Sequence, residues 1–155
     1  MMRLDDFKAA RNVLKGILND TGLIYSQFFS KATGNYVYLK PENMQVTGAY
    51  KIRGAYYTIS TLSDQEKAAG LINHAQGVAY AAKHANVPAT IVMPTTTPLI
   101  KVNNTKNYGA NVVLHGATFD DAAEEAARRS KEDGLTYIHP FNDLRVATGQ
   151  GTISY

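Results

Sequence analysis

Leu71-Ile72-Asn73-His74-Ala75-Gln76-Gly77-Val78-Ala79-Tyr80-Ala81-Ala82-Lys83-His84-Ala85-Asn86-Val87-Pro88-Ala89-Thr90-Ile91-Val92-Met93-Pro94 sets two periodicities side by side. Leu71-Ile72 reads as a very short strand. Ala75, Val78, Ala79 and Ala82 fall at helical spacing, and Ala89 to Met93 is a largely apolar run with three β-branched residues before its stop at Pro94. An apolar run of that length bounded by proline is a buried strand, and a helix between two such strands is a βαβ unit.

The same rhythm extends in both directions. Toward the C-terminus, Pro98 suits a first helical turn, and that helix ends near Tyr108-Gly109. Val112-Val113-Leu114 is a strand, Phe119 to Lys131 an alanine-rich helix closed by Gly134, and Thr136-Tyr137-Ile138 a last short strand. Toward the N-terminus, Ser63 with Glu66 is a capping box for a helix up to Gly70, and residues 48–60 predict a helix after the turn Thr47-Gly48. Leu4, Phe7, Leu14 and Ile17 predict an amphipathic helix over residues 4–18. Ile24-Tyr25 and Tyr36 to Leu39 predict a hairpin or two extended segments around Thr33-Gly34-Asn35. Strands alternating with helices call for a three-layer α/β/α fold with a mainly parallel sheet and right-handed crossovers. The N-terminal helix and β segment stand outside that rhythm.

Composition narrows the function. The 155 residues carry 16 Lys and Arg against 13 Asp and Glu, a net charge of +3, scattered rather than clustered. No basic stripe for nucleic acid results, and the 10 tyrosines are too dispersed for a base-stacking platform. With no cysteine, disulfides, thiolate metal sites and thiol nucleophiles are out. His84, His115 and His139 lack ligand spacing, so no metal is expected. No apolar run approaches the roughly 18 residues of a membrane span, and the acidic start Leu4-Asp5-Asp6 is unlike a signal peptide. A cytoplasmic location is the expectation. Val146 to Tyr155 reads as a helix just beginning, as in a piece of a longer chain.

In sheets of this kind, ligands sit at the C-terminal ends of the strands. Three loops belong there, residues 45–55, 73–77 and 94–98. Lys51 lies in the first turn of its predicted helix, among Gly48, Ala49, Gly54 and Ala55. The helix macrodipole disfavours an ammonium at that end, and a neutral amine is what covalent capture of a carbonyl needs. On composition alone, a single lysine reads as a solvated surface residue. His74 alone reads as an ordinary histidine at a helix start, and Thr95, Thr96 and Thr97 as capping residues. Asp120, Asp121, Glu124 and Glu125 read as a solvated helix start that suits the macrodipole.

Lys40-Pro41-Glu42-Asn43, followed by Thr47-Gly48-Ala49-Tyr50-Lys51-Ile52-Arg53-Gly54-Ala55, resembles the cofactor-lysine motif of the serine/threonine dehydratases. These are pyridoxal-phosphate (PLP) enzymes of the tryptophan-synthase-β structural group. Asn73-His74-Ala75-Gln76-Gly77, Pro94 to Pro98, Tyr108-Gly109-Ala110 and Thr148-Gly149-Gln150-Gly151-Thr152 resemble further stretches of that family, in order along the chain. The resemblance implies a threonine ammonia-lyase that converts L-threonine to 2-oxobutanoate and ammonia, with L-serine to pyruvate as a second reaction. It serves either isoleucine biosynthesis or threonine breakdown. It implies that Lys51 carries the cofactor and then takes the substrate Cα proton, and that Tyr50 packs near the cofactor ring. Asn73 would hydrogen-bond the ring hydroxyl, and Asn73 with His74 would receive the substrate carboxylate. It implies a homo-oligomeric parent enzyme, with residues 1–43 part of a larger domain, 44–145 a smaller α/β domain, and 146–155 the start of a helix returning to the larger one. Phe28 and Phe29, separated from that larger domain, are then expected at the surface.

The sequence departs from the family at two points. The family has Ser-x-Gly immediately before Asn-His, whereas Leu71-Ile72 runs straight into Asn73. Either those residues are deleted, which impairs substrate binding, or a stretch is missing from the sequence as read. The family's glycine-rich phosphate loop has no counterpart up to Tyr155, so this chain alone is expected to bind PLP weakly and to be an inactive piece. A serine racemase-like enzyme shares the lysine motif and stands as the enzyme alternative; a non-catalytic α/β fragment is the alternative of another class.

Overall fold

The computed structural model describes residues 2–155; Met1, the first residue of the expected segment 1–43, lies outside them. Helix α1 (Leu4–Leu14) ends earlier than its apolar spacing predicts. Lys15 turns to extended backbone, and Gly16 takes a left-handed φ of 81°, which a side-chain-bearing residue resists. Strands β1 (Ile24–Tyr25) and β2 (Tyr38–Leu39) pair antiparallel as expected, Ile24 opposite Leu39 and Tyr25 opposite Tyr38. Their connection is not a hairpin turn but helix α2 (Gln27–Thr33). The local signals were present: the Ser26 hydroxyl accepts from Phe29 N–H at 3.3 Å, and Gly34 closes the helix at φ 70°. The aromatic pair Phe28-Phe29 masked them as strand-like residues.

A 3-10 turn (Glu42–Met44) leads to α3 (Ile52–Ser60), which starts later than predicted because residues 48–51 form turns, with Gly48 at φ 71°. Helix α4 (Asp64–Ala68) has the expected capping box. Ser63 N–H donates to Glu66 at 2.7 Å, and Glu66 N–H donates to the Ser63 hydroxyl at 3.2 Å. The alternating part then follows as β3 (Leu71–Asn73), α5 (Gln76–Ala85), β4 (Ala89–Met93), α6 (Leu99–Asn107), β5 (Asn111–Leu114), α7 (Phe119–Asp133), β6 (Thr136–Tyr137) and α8 (Leu144–Gly151). A second 3-10 turn covers Thr152–Ser154.

Strands β5-β4-β3-β6 form one fully parallel sheet. Side chains alternate across it with the period of a strand. Leu71, Ile91 and Met93 pack with Ile52, Ile59, Val78, Ala79 and Val102 of α3, α5 and α6. Ile72 and Val92 point to the other face, against Ala122 and Ala126 of α7. Helices therefore cover both faces, the three-layer arrangement expected. Each fully buried Leu, Ile or Val contributes about 1.5–3 kcal/mol of apolar transfer, and the alanines let the helices lie close to the sheet.

Helix α8 lies across α3 at glycines on both sides. A Cβ built on Gly149 would stand 2.6 Å from the Arg53 carbonyl oxygen, and one on Gly54 2.8 Å from the Val146 carbonyl oxygen. Most of residues 23–39 remain open to solvent, with Phe28 76% and Tyr36 86% exposed, and Phe29 is also exposed, while Ser30 is buried.

Candidate functional site

The N-termini of α3 and α5 converge at the C-terminal edge of the sheet. A Cβ on Gly77 would lie 3.6 Å from the Ile52 nitrogen, an ordinary contact, so the start of α3 rests on the start of α5. Lys51, the residue before α3, is thereby held at the ends of β3 and β6. It shares the lining of a cavity of about 20 Å³ with Asn73, Gly77, Ile138, His139 and Val146, among others. That is room for about one water. The Lys51 side chain is exposed beside it, and Tyr50 is 44% exposed next in sequence.

Asn73 is fully buried. It is a strand residue, paired with Ile91, because Leu71-Ile72 continues into it without an intervening loop. Its side-chain amide donates to the Ile138 carbonyl, and its side-chain oxygen accepts from Ala75 N–H at 2.5 Å. These bonds join the ends of β3 and β6 and set the entry to α5. One amide hydrogen is left over, sealed from solvent.

His74 follows the alternation to the opposite face. Its ring meets Phe119 edge-on at 4.4 Å between centroids, its Nδ1 lies 3.4 Å from the Tyr137 hydroxyl, and its buried Nε2 has no hydrogen-bond partner among the described residues. It is not among the residues lining the Lys51 cavity. Burial pushes its pKa below the usual histidine value, the charges of Lys51 and His139 act in the same direction, and Asp120 opposes them. Of the positions singled out in the sequence, Lys51 and Asn73 meet at the cavity, Tyr50 adjoins Lys51, and His74 turns away. In the third loop, the Thr95 and Thr96 hydroxyls donate to the carbonyls of Gly116 at 2.7 Å and Ala117 at 3.0 Å, tying the ends of β4 and β5 together.

Two features went unread in the sequence. One is His139, which lines the cavity with Lys51. The other is the anchorage behind Lys51. Arg53 grips Glu42 through two bonds, Nε to Oε2 and Nη2 to Oε1, both 2.8 Å, and its Nη1 donates to the Thr152 hydroxyl at 3.2 Å. Both side chains of the pair are largely buried. The Arg53 hydrogen bonds hold the Glu42 carboxyl below the usual carboxylate range. The network binds the first 3-10 turn, α3 and the C-terminal turn into one support for Lys51. Sequence spacing gave no sign of it, because Arg53 and Thr152 are far apart along the chain.

Among the described residues, no helix is long and apolar enough to cross a membrane. Comparison with known proteins gives one consistent outcome. The L-threonine ammonia-lyase of Thermotoga maritima is 49% identical over 158 aligned residues, which cover 99% of this chain and 39% of that protein. The processed form of threonine deaminase isoform 2 from Solanum lycopersicum superimposes with a TM-score of 0.87 at 43% identity, over 97% of this chain and 42% of that one. Serine racemase from Dictyostelium discoideum superimposes with a TM-score of 0.88 at 31% identity, over 99% of this chain and 52% of that one. The chain thus spans about half or less of the length of these relatives. The pyridoxal-phosphate dependent enzyme family matches residues 14–155, nearly the whole chain, and the protein belongs to that family.

Proposed function

We propose that this chain is the lysine-bearing part of a PLP-dependent threonine ammonia-lyase, acting on L-threonine and also on L-serine. The observation that carries the reading is the position of Lys51, an exposed amine at the C-terminal strand ends beside Asn73. The residues fit the aldehyde end of the cofactor. A primary amine is reachable from solvent, its helix is braced by the Arg53–Glu42 pair, and Tyr50 offers an exposed ring beside it. The cavity of about 20 Å³ encloses neither ring nor phosphate, so both would lie on the open side of Lys51. When bound, PLP supplies the electron sink for charge left at the substrate Cα. Lys51 would hold the cofactor through its side-chain amine, and that nitrogen would serve as the base that takes the substrate Cα proton. Asn73 keeps the strand ends joined beside Lys51, and its remaining N–H, sealed here, would reach the ring hydroxyl only if those strand ends part to admit the ring. His74 serves the site only through its backbone while its side chain stays against Phe119. The segments 1–43, 44–145 and 146–155 as pieces of two domains, a homo-oligomeric whole enzyme and a cytoplasmic location are part of the same proposal.

Borohydride reduction of the chain with PLP, followed by peptide mass mapping, tests the assignment. Label at Lys51 is expected, absent in Lys51→Ala, with threonine turnover by this chain alone near background. Label spread evenly over surface lysines overturns the assignment and leaves a non-catalytic α/β fragment. The likeness to a serine racemase supports a second enzyme reading. D-serine formed from L-serine by a longer form of the protein, without 2-oxobutanoate from L-threonine, would select it.

A further inference from the structure

Of the side chains lining the Lys51 cavity, three are polar: Lys51, Asn73 and His139. Asn73 is engaged with Ile138 and Ala75, as described. His139 is held differently. Its Nδ1 accepts the backbone N–H of Asn142 at 2.7 Å and of Phe141 at 3.3 Å. A nitrogen that accepts two N–H groups carries no proton of its own, so the ring hydrogen sits on Nε2. Nε2 has no hydrogen-bond partner among the described residues and is not one of the sealed, unpartnered atoms, so it is open to a ligand. The ring is also fixed in place. Phe141 stands edge-on at 5.0 Å between centroids and Tyr137 at 6.2 Å. The turn it caps runs directly into α8, whose start Asp143 secures by accepting Arg145 N–H at 2.7 Å.

We infer that His139 is a substrate-anchoring residue, donating its Nε2–H to the carboxylate of the amino acid that reacts at Lys51. The inference rests on the reading of Lys51 given above. The chemistry favours a carboxylate. The donor is oriented by its turn and lines the same cavity as the reacting amine. Ile72 runs straight into Asn73, so the hydroxyl and further N–H groups that the family's Ser-x-Gly would bring have no counterpart at this strand end. His74, the histidine adjoining that loop, faces α7 instead.

The test follows the histidine ring nitrogens of the 155-residue chain by NMR. His139 should show the Nε2–H form with Nδ1 unprotonated, and adding L-threonine should shift its Nε2. L-threoninol, which lacks the carboxylate, should leave it unmoved, and inorganic phosphate should shift it less than L-threonine at equal concentration. His139→Asn keeps a side-chain acceptor for the turn and replaces the ring donor by an amide N–H on a shorter side chain, drawn back from the carboxylate. It should weaken L-threonine binding, read from the Ala75 and Gly77 amides, about tenfold, as for loss of a hydrogen bond to a charged group. A proton on Nδ1, a ring indifferent to L-threonine, an equal response to L-threoninol, a stronger response to phosphate, or unchanged affinity in His139→Asn overturns the inference. Borohydride labelling is run in parallel. Label on Lys51 with a silent His139 defeats only this inference, whereas absent label defeats the Lys51 reading itself.

Discussion

Gly149→Ala adds one methyl group where α8 meets α3. The new Cβ would stand 2.6 Å from the Arg53 oxygen, 2.7 Å from the Gly54 Cα and 3.0 Å from the Arg53 carbonyl carbon. The nearest of these is about 0.8 Å inside ordinary contact, taken to begin near 3.4 Å. All three atoms are backbone, so no side chain can swing aside and the helices must separate. Overpacking of this kind costs about 3 kcal/mol, the upper end for an added methylene. Alanine returns about 1 kcal/mol through its helix propensity. The net loss of about 2 kcal/mol lowers the melting temperature by about 4–8 °C for a chain of this length. Thermal unfolding followed by far-ultraviolet circular dichroism measures it. Gly54→Ala should behave alike, with its Cβ 2.8 Å from the Val146 oxygen. The double variant should cost less than the two single losses together, because helices already parted accommodate the second methyl. An unchanged or raised melting temperature in Gly149→Ala would show that the helices do not meet this closely, and the support for Lys51 would have to be rebuilt.

Glu42→Gln leaves the Arg53 guanidinium largely buried without its carboxylate; a loss of about 3 kcal/mol is expected in urea unfolding, with lower borohydride labelling of Lys51. Acid should weaken the fold from the ordinary carboxylate range downward. Stability contributed by the lowered carboxyl of Glu42 is present above the ordinary carboxylate range and disappears as pH falls through its folded value. That contributed by Glu125, held at about 2 by Arg128 and Arg129, starts to be lost in the same range and is lost down to lower pH; below the ordinary carboxylate value of 4.5, urea midpoints should therefore decline less steeply with falling pH in Glu42→Gln and in Glu125→Gln than in the unaltered chain, and in Glu125→Gln this should extend to about pH 2. His74 adds a loss in the same direction, since its lowered value lets the unfolded chain bind a proton first as pH drops below about 6.5; His74→Phe should remove that increment from the pH profile of the urea midpoint. Asn73→Ala leaves the Ile138 carbonyl and Ala75 N–H unpaired in the interior, and a loss of about 1–3 kcal/mol should appear in thermal unfolding together with faster amide exchange at Ala75.

The strand-helix rhythm was legible because each element repeats a local pattern that burial must respect. Leu71, Ile72, Ala89 to Met93 and Val112 to Leu114 became parallel strands, and the capping signals at Ser63 and Gly134 fell where helices begin and end. Helix α2 was missed because its cues are short-range and its aromatics are exposed, so no apolar periodicity announced it. The lysine was legible through a run of neighbouring residues whose order is distinctive.

By itself, then, the order of residues determined a three-layer parallel α/β unit with an amine at position 51 in a loop at the strand ends, since those features follow from spacing of two to four residues. The tertiary structure alone decided which groups surround that amine. Strand alternation sent His74 to the far face and kept Asn73 on the near one, the crossing of α3 and α8 brought Arg53 to Thr152, the first 3-10 turn brought Glu42 to Arg53, and a turn after β6 brought His139 to the cavity. These contacts join residues on different elements, from 11 positions apart upward, and they arise when the elements pack, which no local periodicity records.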